Sequence, residues 1–272
     1  MNTSLSHKLT AMLMLAATML CSCSHIDDDD RLIYVKPAAV QRAVLIEDFT
    51  GQRCVNCPSA TDVIHQLEQQ YGTEAVIAVG IHSGPFSRSP KGTRYALGTD
   101  EGDQYFAHWQ LDRQPIGMVN RRRVTDYTEW ATQVYNEIQT TAPVSIDLTT
   151  QLDPDTRTLT IAGNLMARDG NVTGKLQLWL VEDSIQAFQY MPDNSTNREY
   201  VHNHVFRRAV NGTWGEDVSI AEGNTALLES HIVLDEQWNP DNMAVVAFVY
   251  NDTGVLQATR KYLHDNQPQQ QE

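Results

Sequence analysis

Cys54 and Cys57, in the stretch DFTGQRCVNCP (residues 48–58), are the residues of this chain best suited to chemistry. Two thiols at that spacing lie one helical turn apart and can join as a disulfide. Three uses compete: a working redox pair, a structural staple, or half of a metal site. A cysteine at a helix start faces unpaired backbone N–H groups and the positive end of the helix dipole, which favours its thiolate. Arg53 beside it adds positive charge. The arrangement fits attack by Cys54 and resolution by Cys57. Zinc would require further thiols or a well-placed histidine, and the sequence has no second CxxC, so neither a metal nor another cofactor is expected.

Other titratable residues gather around this pair. Asp48 stands six positions before Cys54. As a buried acid it would shuttle the resolving thiol's proton; as an acid at a strand end it would only bond a turn. Glu47 alternates to the other face. His82 closes a second apolar run and is read as either tuning the disulfide or bonding locally. His202 and His204 are placed on alternate positions of one strand, sharing a face, as half a metal site or as polar residues at an interface.

The elements that must position these residues follow from periodicity. RAVLIEDF (42–49) is a short, nearly continuous apolar run with a turn signal after it, as in a buried strand. Ala60, Val63, Ile64, Leu67 and Tyr71 fall at helical spacing, with Gly72 as the stop. AVIAVGIH (75–82) is a second strand, and strand–helix–strand in about forty residues predicts a βαβ unit with parallel strands. Carboxyl ends of parallel strands share one sheet edge, which puts His82 at the edge from which Cys54 emerges. Residues 83–113 are a long insertion, read as a lid or binding loop, with a short helix around Asp103 to Trp109. Pro115 introduces a third strand at Ile116 to Val119, and the strand after it is hard to find. A helix is expected over Thr128 to Ile138, with Thr128 as its cap.

Beyond Pro143 the period changes to two. Val144-Ile146-Leu148, Leu159-Ile161, Leu176-Leu178-Leu180 and runs at 201–210, 226–234, 243–250 and 255–262 are separated by turn residues. Seven or eight strands without helices predict an antiparallel β-sandwich.

At the other end, Lys8 precedes the apolar stretch LTAMLMLAATML, which suits a signal peptide and is too short to span a bilayer. Leu20-Cys21-Ser22-Cys23 resembles a bacterial lipobox, which would make Cys23 a lipidated first residue; a plain secretory signal is the alternative. The acidic run at 27–30 reads as a solvated tether and also resembles the surface-export signal of Bacteroidetes lipoproteins. Outside the inner membrane the surroundings are oxidising, and Cys54 and Cys57 are the two thiols left to pair. A formal charge of −14 over 272 residues argues against a nucleic-acid partner.

Asp48, the CxxC at a helix start and Pro115 before a strand together resemble the thioredoxin superfamily. That resemblance implies a cis-proline at Pro115 that shapes a substrate groove beside the disulfide. Arg53 stands where thioredoxins usually have Trp, and Val-Asn replaces Gly-Pro between the cysteines. The lipobox, LIEDFTGQRCVNCP, IHSGPF, QPIGMVNR and VHNHVFRR together resemble a narrower group, the Bacteroidetes outer-membrane lipoprotein family named for a 28-kDa surface protein. Membership implies an α/β thioredoxin-like domain followed by an all-β antiparallel sandwich domain at the outer membrane.

The expected organisation is a signal peptide (1–22), a lipidated acidic tether (23–36), a thioredoxin-like domain (37–140), a sandwich (141–264) and a tail (265–272). Two functions stay open. One is thiol–disulfide exchange on extracytoplasmic proteins, with Cys54 attacking, Cys57 resolving, Asp48 moving the proton, Pro115 shaping the groove, and His82 and Arg53 tuning. The other is a lipid-anchored, cell-surface binding or adhesion protein in which Cys54–Cys57 is a staple.

Overall fold

β2 (Val44–Thr50) is buried at every position because it has a strand on each side and packing on both faces. Such a strand needs no polar alternation, which accounts for the run VLIEDFT. The computed structural model describes residues 38–87 and 96–264. The expected signal peptide, Cys23, the tether, the tail and residues 88–95 of the insertion lie outside them.

On one side β2 pairs in parallel with β3 (Val76–His82), register Asp48 to Gly80 and Thr50 to His82. On the other it pairs antiparallel with β4 (Ile116–Val119), Asp48 facing Gly117. A two-residue strand, β5 (Val124–Thr125), follows β4 and closes this side of the sheet. β1 (Val40–Gln41) pairs separately with β6 (Thr141–Ala142). Helix α1 (Cys57–Tyr71) packs Ala60, Ile64 and Leu67 onto Val44, Ile46, Val76 and Ala78. Gly72, at φ 89°, ends it in a conformation that costs glycine little.

The chain continues through α2 (Gly84–Ser87) and α3 (Asp100–His108), the latter capped by the Thr99 side chain. Helix α4 (Trp130–Ile138) starts two residues later than expected. Asp126, rather than Thr128, accepts the capping bond, because a short 3-10 turn at Tyr127–Glu129 precedes the helix.

The remaining strands pair antiparallel with one another: β7 (Val144–Leu152), β8 (Thr158–Ala167), β9 (Val172–Glu182), β10 (Ile185–Tyr190), β11 (Thr196–His202), β12 (Val205–Ala209), β13 (Glu216–Ile220), β14 (Thr225–Val233), β15 (Met243–Asn251) and β16 (Gly254–Tyr262). Strand dominates the molecule, as the sandwich expectation requires. The sheet β14-β8-β7 faces β9, β15 and β16 across a core of Val144, Ile161, Leu178, Leu180, Val245 and Ala247. Burying each such side chain stabilises by about 1.5–3 kcal/mol, so this layer contributes heavily to folding.

One sheet runs across the boundary expected near residue 140. Its order is β16-β15-β9-β12-β3-β2-β4-β5, and β12 joins the two halves by pairing with β9 and, in parallel, with β3. The run 201–210, expected as one strand, is two: β11 pairs with β10, and β12 begins after His204, whose φ is +56°. Asp183 stabilises that reversal by accepting from the His204 N–H. Opposite α1, Phe49, Ile81, Trp179, Phe206 and Phe248 form a second core, covered by Tyr105 of α3. The Trp179 indole donates to the Tyr105 hydroxyl at 3.0 Å. In the same layer Glu47 accepts from both Nε and Nη2 of the buried Arg121, at 3.0 and 2.9 Å.

Candidate redox site

The disulfide forms as the spacing predicts. Cys54 and Cys57 are bonded, with Cα atoms 5.4 Å apart. Helix α1 opens at the second cysteine, not the first, because Pro58 supplies the fixed φ that suits a first helical turn. Cys54 sits before it in a turn, its N–H bonded to the Gly51 carbonyl at 3.0 Å. The dipole of α1 therefore bears most directly on Cys57. Arg53, Val55 and Asn56 around the bridge are exposed, whereas Cys54 and Cys57 are 3% and 1% exposed.

Three backbone segments close on the cysteine turn. Gly51 lets α2 approach, since a Cβ there would stand 2.5 Å from the Phe86 carbonyl carbon. The Gln114–Pro115 bond is cis, and Pro115 leads directly into Ile116, which pairs with Phe49. Gln114 donates from Nε2 to the Thr50 and Ser83 carbonyls. The third segment is the β10–β11 hairpin, whose place here strand periodicity does not reveal. Gln189 donates to the Cys54 and Gly51 carbonyls at 2.9 and 3.3 Å. Tyr190 N–H bonds Gln52 O, and Gln52 Nε2 bonds Phe188 O in return.

Asp48 is on the α1 face of the sheet and lines one cavity with Cys57. It is 2% exposed, its Oδ1 has no hydrogen-bond partner, and burial pushes its carboxyl up to about 8. Its sheet neighbours, Gly80 and Gly117, carry no side chains. A cavity of about 30 Å³ opens beside it, lined by Asp48, Cys57, Gly80, His82, Tyr200 and His202 among others. His82 thus reaches the site from the edge predicted for it.

His202 and His204 do not share a strand face, because the chain reverses between them. His202 ends β11 with its ring 5.2 Å from that of His82. His204 turns away to Asp183, 3.1 Å from Nδ1, and to Glu68 of α1, 3.4 Å from Nε2. Burial alone would lower the His204 pKa, but these carboxylates outweigh it and raise it to about 9. No group of three or more His, Cys, Asp or Glu side chains among the described residues is arranged to hold a metal ion.

The family model for outer membrane protein Omp28 matches residues 102–267, more than half of the chain. The chain belongs to the Omp28 family. Its location is accordingly the outer membrane. HBP35 of Porphyromonas gingivalis has a similar fold, with TM-score 0.65, 16% identity, and coverage of 87% of this chain and 80% of that one. A domain of the outer membrane lipoprotein Omp28 from the same organism is 22% identical, covering 45% of this chain and 89% of its own, with TM-score 0.33. No curated protein matches this family member. No helix among the described residues is long and apolar enough to cross a membrane.

Proposed function

We propose that this Omp28-family protein carries out thiol–disulfide exchange on extracytoplasmic proteins, held at the membrane by lipid on Cys23. The observation that carries the reading is Asp48: a buried carboxyl without a partner for Oδ1, lining one cavity with Cys57. A disulfide kept only as a staple has no use for such an acid, which costs stability. The strand order β3-β2-β4-β5, with β2 and β3 parallel and the cysteine turn joining β2 to α1, supports a thioredoxin-like N-terminal half.

A substrate thiolate attacks Cys54 Sγ, between the exposed residues Arg53 and Val55. The Cys54–Cys57 bond breaks, and Cys57 leaves as a thiolate that takes its proton from the Asp48 carboxyl. A second substrate thiolate then attacks the substrate sulfur of the mixed disulfide and releases Cys54 as a thiolate, which takes up the proton that the second substrate thiol lost. The substrate dithiol becomes a disulfide and the protein pair a dithiol; the reverse sequence reduces a substrate. Pro115 borders the groove from the third strand.

The staple reading draws on the burial of both cysteines and on the Gln189 clasp; the sandwich loops and the insertion would then bind a surface ligand. Reduced wild type and Cys57→Ser, offered a peptide disulfide, separate the two. Exchange predicts turnover by wild type and a stable one-to-one adduct on Cys54 in the variant. Wild type reacting no faster than free glutathione would leave the staple reading.

A further inference from the structure

Four buried polar atoms near the disulfide lack a hydrogen bond of ordinary geometry: Asp48 Oδ1, His202 Nε2 and both ring nitrogens of His82, one of which feels the Gly80 backbone. All three side chains are at most 5% exposed and line the same cavity. Orphaned buried polar atoms cost free energy, and so many at one point call for an occupant with donors and acceptors to share. A water needs about 10–15 Å³ and two to four polar partners. The cavity's 30 Å³ and its four atoms meet both conditions. Larger ligands are excluded by the volume.

We propose that His82 and His202 hold a water against Asp48 and pass protons through it, as positioning residues for the Cys57 step. The inference rests on the exchange reading above. When Asp48 has protonated the departing Cys57 thiolate, it is left as a buried carboxylate. The proton that the substrate thiol lost on ionising returns to it by way of the imidazoles and the water, so the cycle balances. A neutral imidazole suits this work, since one nitrogen accepts while the other donates. Burial lowers the pKa of both rings, and the nearby His202 lowers that of His82 further, so both are neutral.

His202 comes from the hairpin and His82 from the βαβ unit, so the relay exists only while the hairpin is closed. The other titratable or charged groups facing it are Tyr200 on β11, Asp62 on α1, His204 at the chain reversal and Arg207 on β12.

The test is the carboxyl titration of Asp48, followed by carbon-13 NMR in the oxidised full-length protein, which requires no turnover. Wild type is expected to titrate near pH 8, with ring nitrogen shifts of His82 and His202 inflecting at the same midpoint. His82→Leu and His202→Leu, which remove the water's partners, should move the midpoint up by about one unit, tenfold in ionisation constant. His202→Gln should restore it. Gly80→Ala tests the cavity without touching an imidazole. Its Cβ would stand no nearer than 3.7 Å to any neighbour, so the methyl fits, occupies the water's space and should raise the midpoint likewise. Histidine shifts silent through the Asp48 titration, or a midpoint unmoved in Gly80→Ala and the leucine variants, would overturn the proposal. A protein that fails to exchange thiols but shows the coupled titration keeps the water site and loses the exchange reading.

Discussion

Glu47 and Asp48 are sequence neighbours that point to opposite faces of β2, and the strand's period of two gives them opposite fates. Glu47 meets Arg121 in a two-bond ion pair; Asp48 meets a small cavity and two glycines. Because burial raises Asp48 to about 8, the folded state holds a proton that the unfolded chain releases near 3.8. The stability this proton confers is fully present below 3.8 and is lost as pH rises through 8. By pH 7 up to about 4 kcal/mol of it has been lost. Asp48→Asn should therefore melt at a higher temperature than wild type at pH 7 to 8, with a shallower profile that keeps only the slope due to His204. The same variant should slow exchange by about a hundredfold or more, the scale of a lost general acid. Calorimetry across pH 4 to 9 and stopped-flow exchange check the two halves separately.

Among the elements, the β10–β11 hairpin decides whether the disulfide is reached. Gln189 donates from one nitrogen to the carbonyls of Gly51, Cys54 and Tyr190. Gln189→Ala would remove these bonds while Gly51 O and Cys54 O keep the Cys54 and Cys57 N–H groups, a cost of about 1 kcal/mol. We expect faster hydrogen exchange in residues 51–54 and 185–202, and faster reduction of the disulfide, with the remaining strands unchanged. Unaltered protection in that turn would show that the hairpin does not clasp it. Legibility in the sequence stops at this element. Cys54, Asp48, His82 and the βαβ unit were readable because each depends on neighbours within about forty residues. Gln189 and His202 were not, because strand periodicity says which face a residue occupies but not which distant segment covers it. The break at His204 was hidden too: a left-handed φ in a non-glycine residue is stabilised by the Asp183 carboxylate, twenty-one positions away.

Across the whole molecule, the two halves share one sheet and a buried charge network. Glu68 of α1, Asp183 after β9, His204 before β12, and Arg260 and Tyr262 of β16 meet there. The raised His204 pKa contributes stability that is present below 6.5 and lost as pH rises through about 9. Burial alone would raise Asp183, but the His204 charge and hydrogen bonds hold it well below the usual carboxylate range. Its contribution is present above about 3.8 and lost as pH falls. Removing one partner strands the other charges in the interior. His204→Ala should accordingly cost about 3–5 kcal/mol and reduce the alkaline slope between 6.5 and 9 to the part due to Asp48. Unfolding followed at once by near-ultraviolet dichroism and by protection of the cysteine turn should show a single transition, since β12 joins the halves. Two separated transitions would show that they fold independently.

The most direct test of the account is the reduction potential of Cys54–Cys57, equilibrated against glutathione. Exchange on extracytoplasmic proteins predicts a value between about −120 and −270 mV, the span of known exchange catalysts. A value below about −300 mV would mark a structural disulfide and contradict the account.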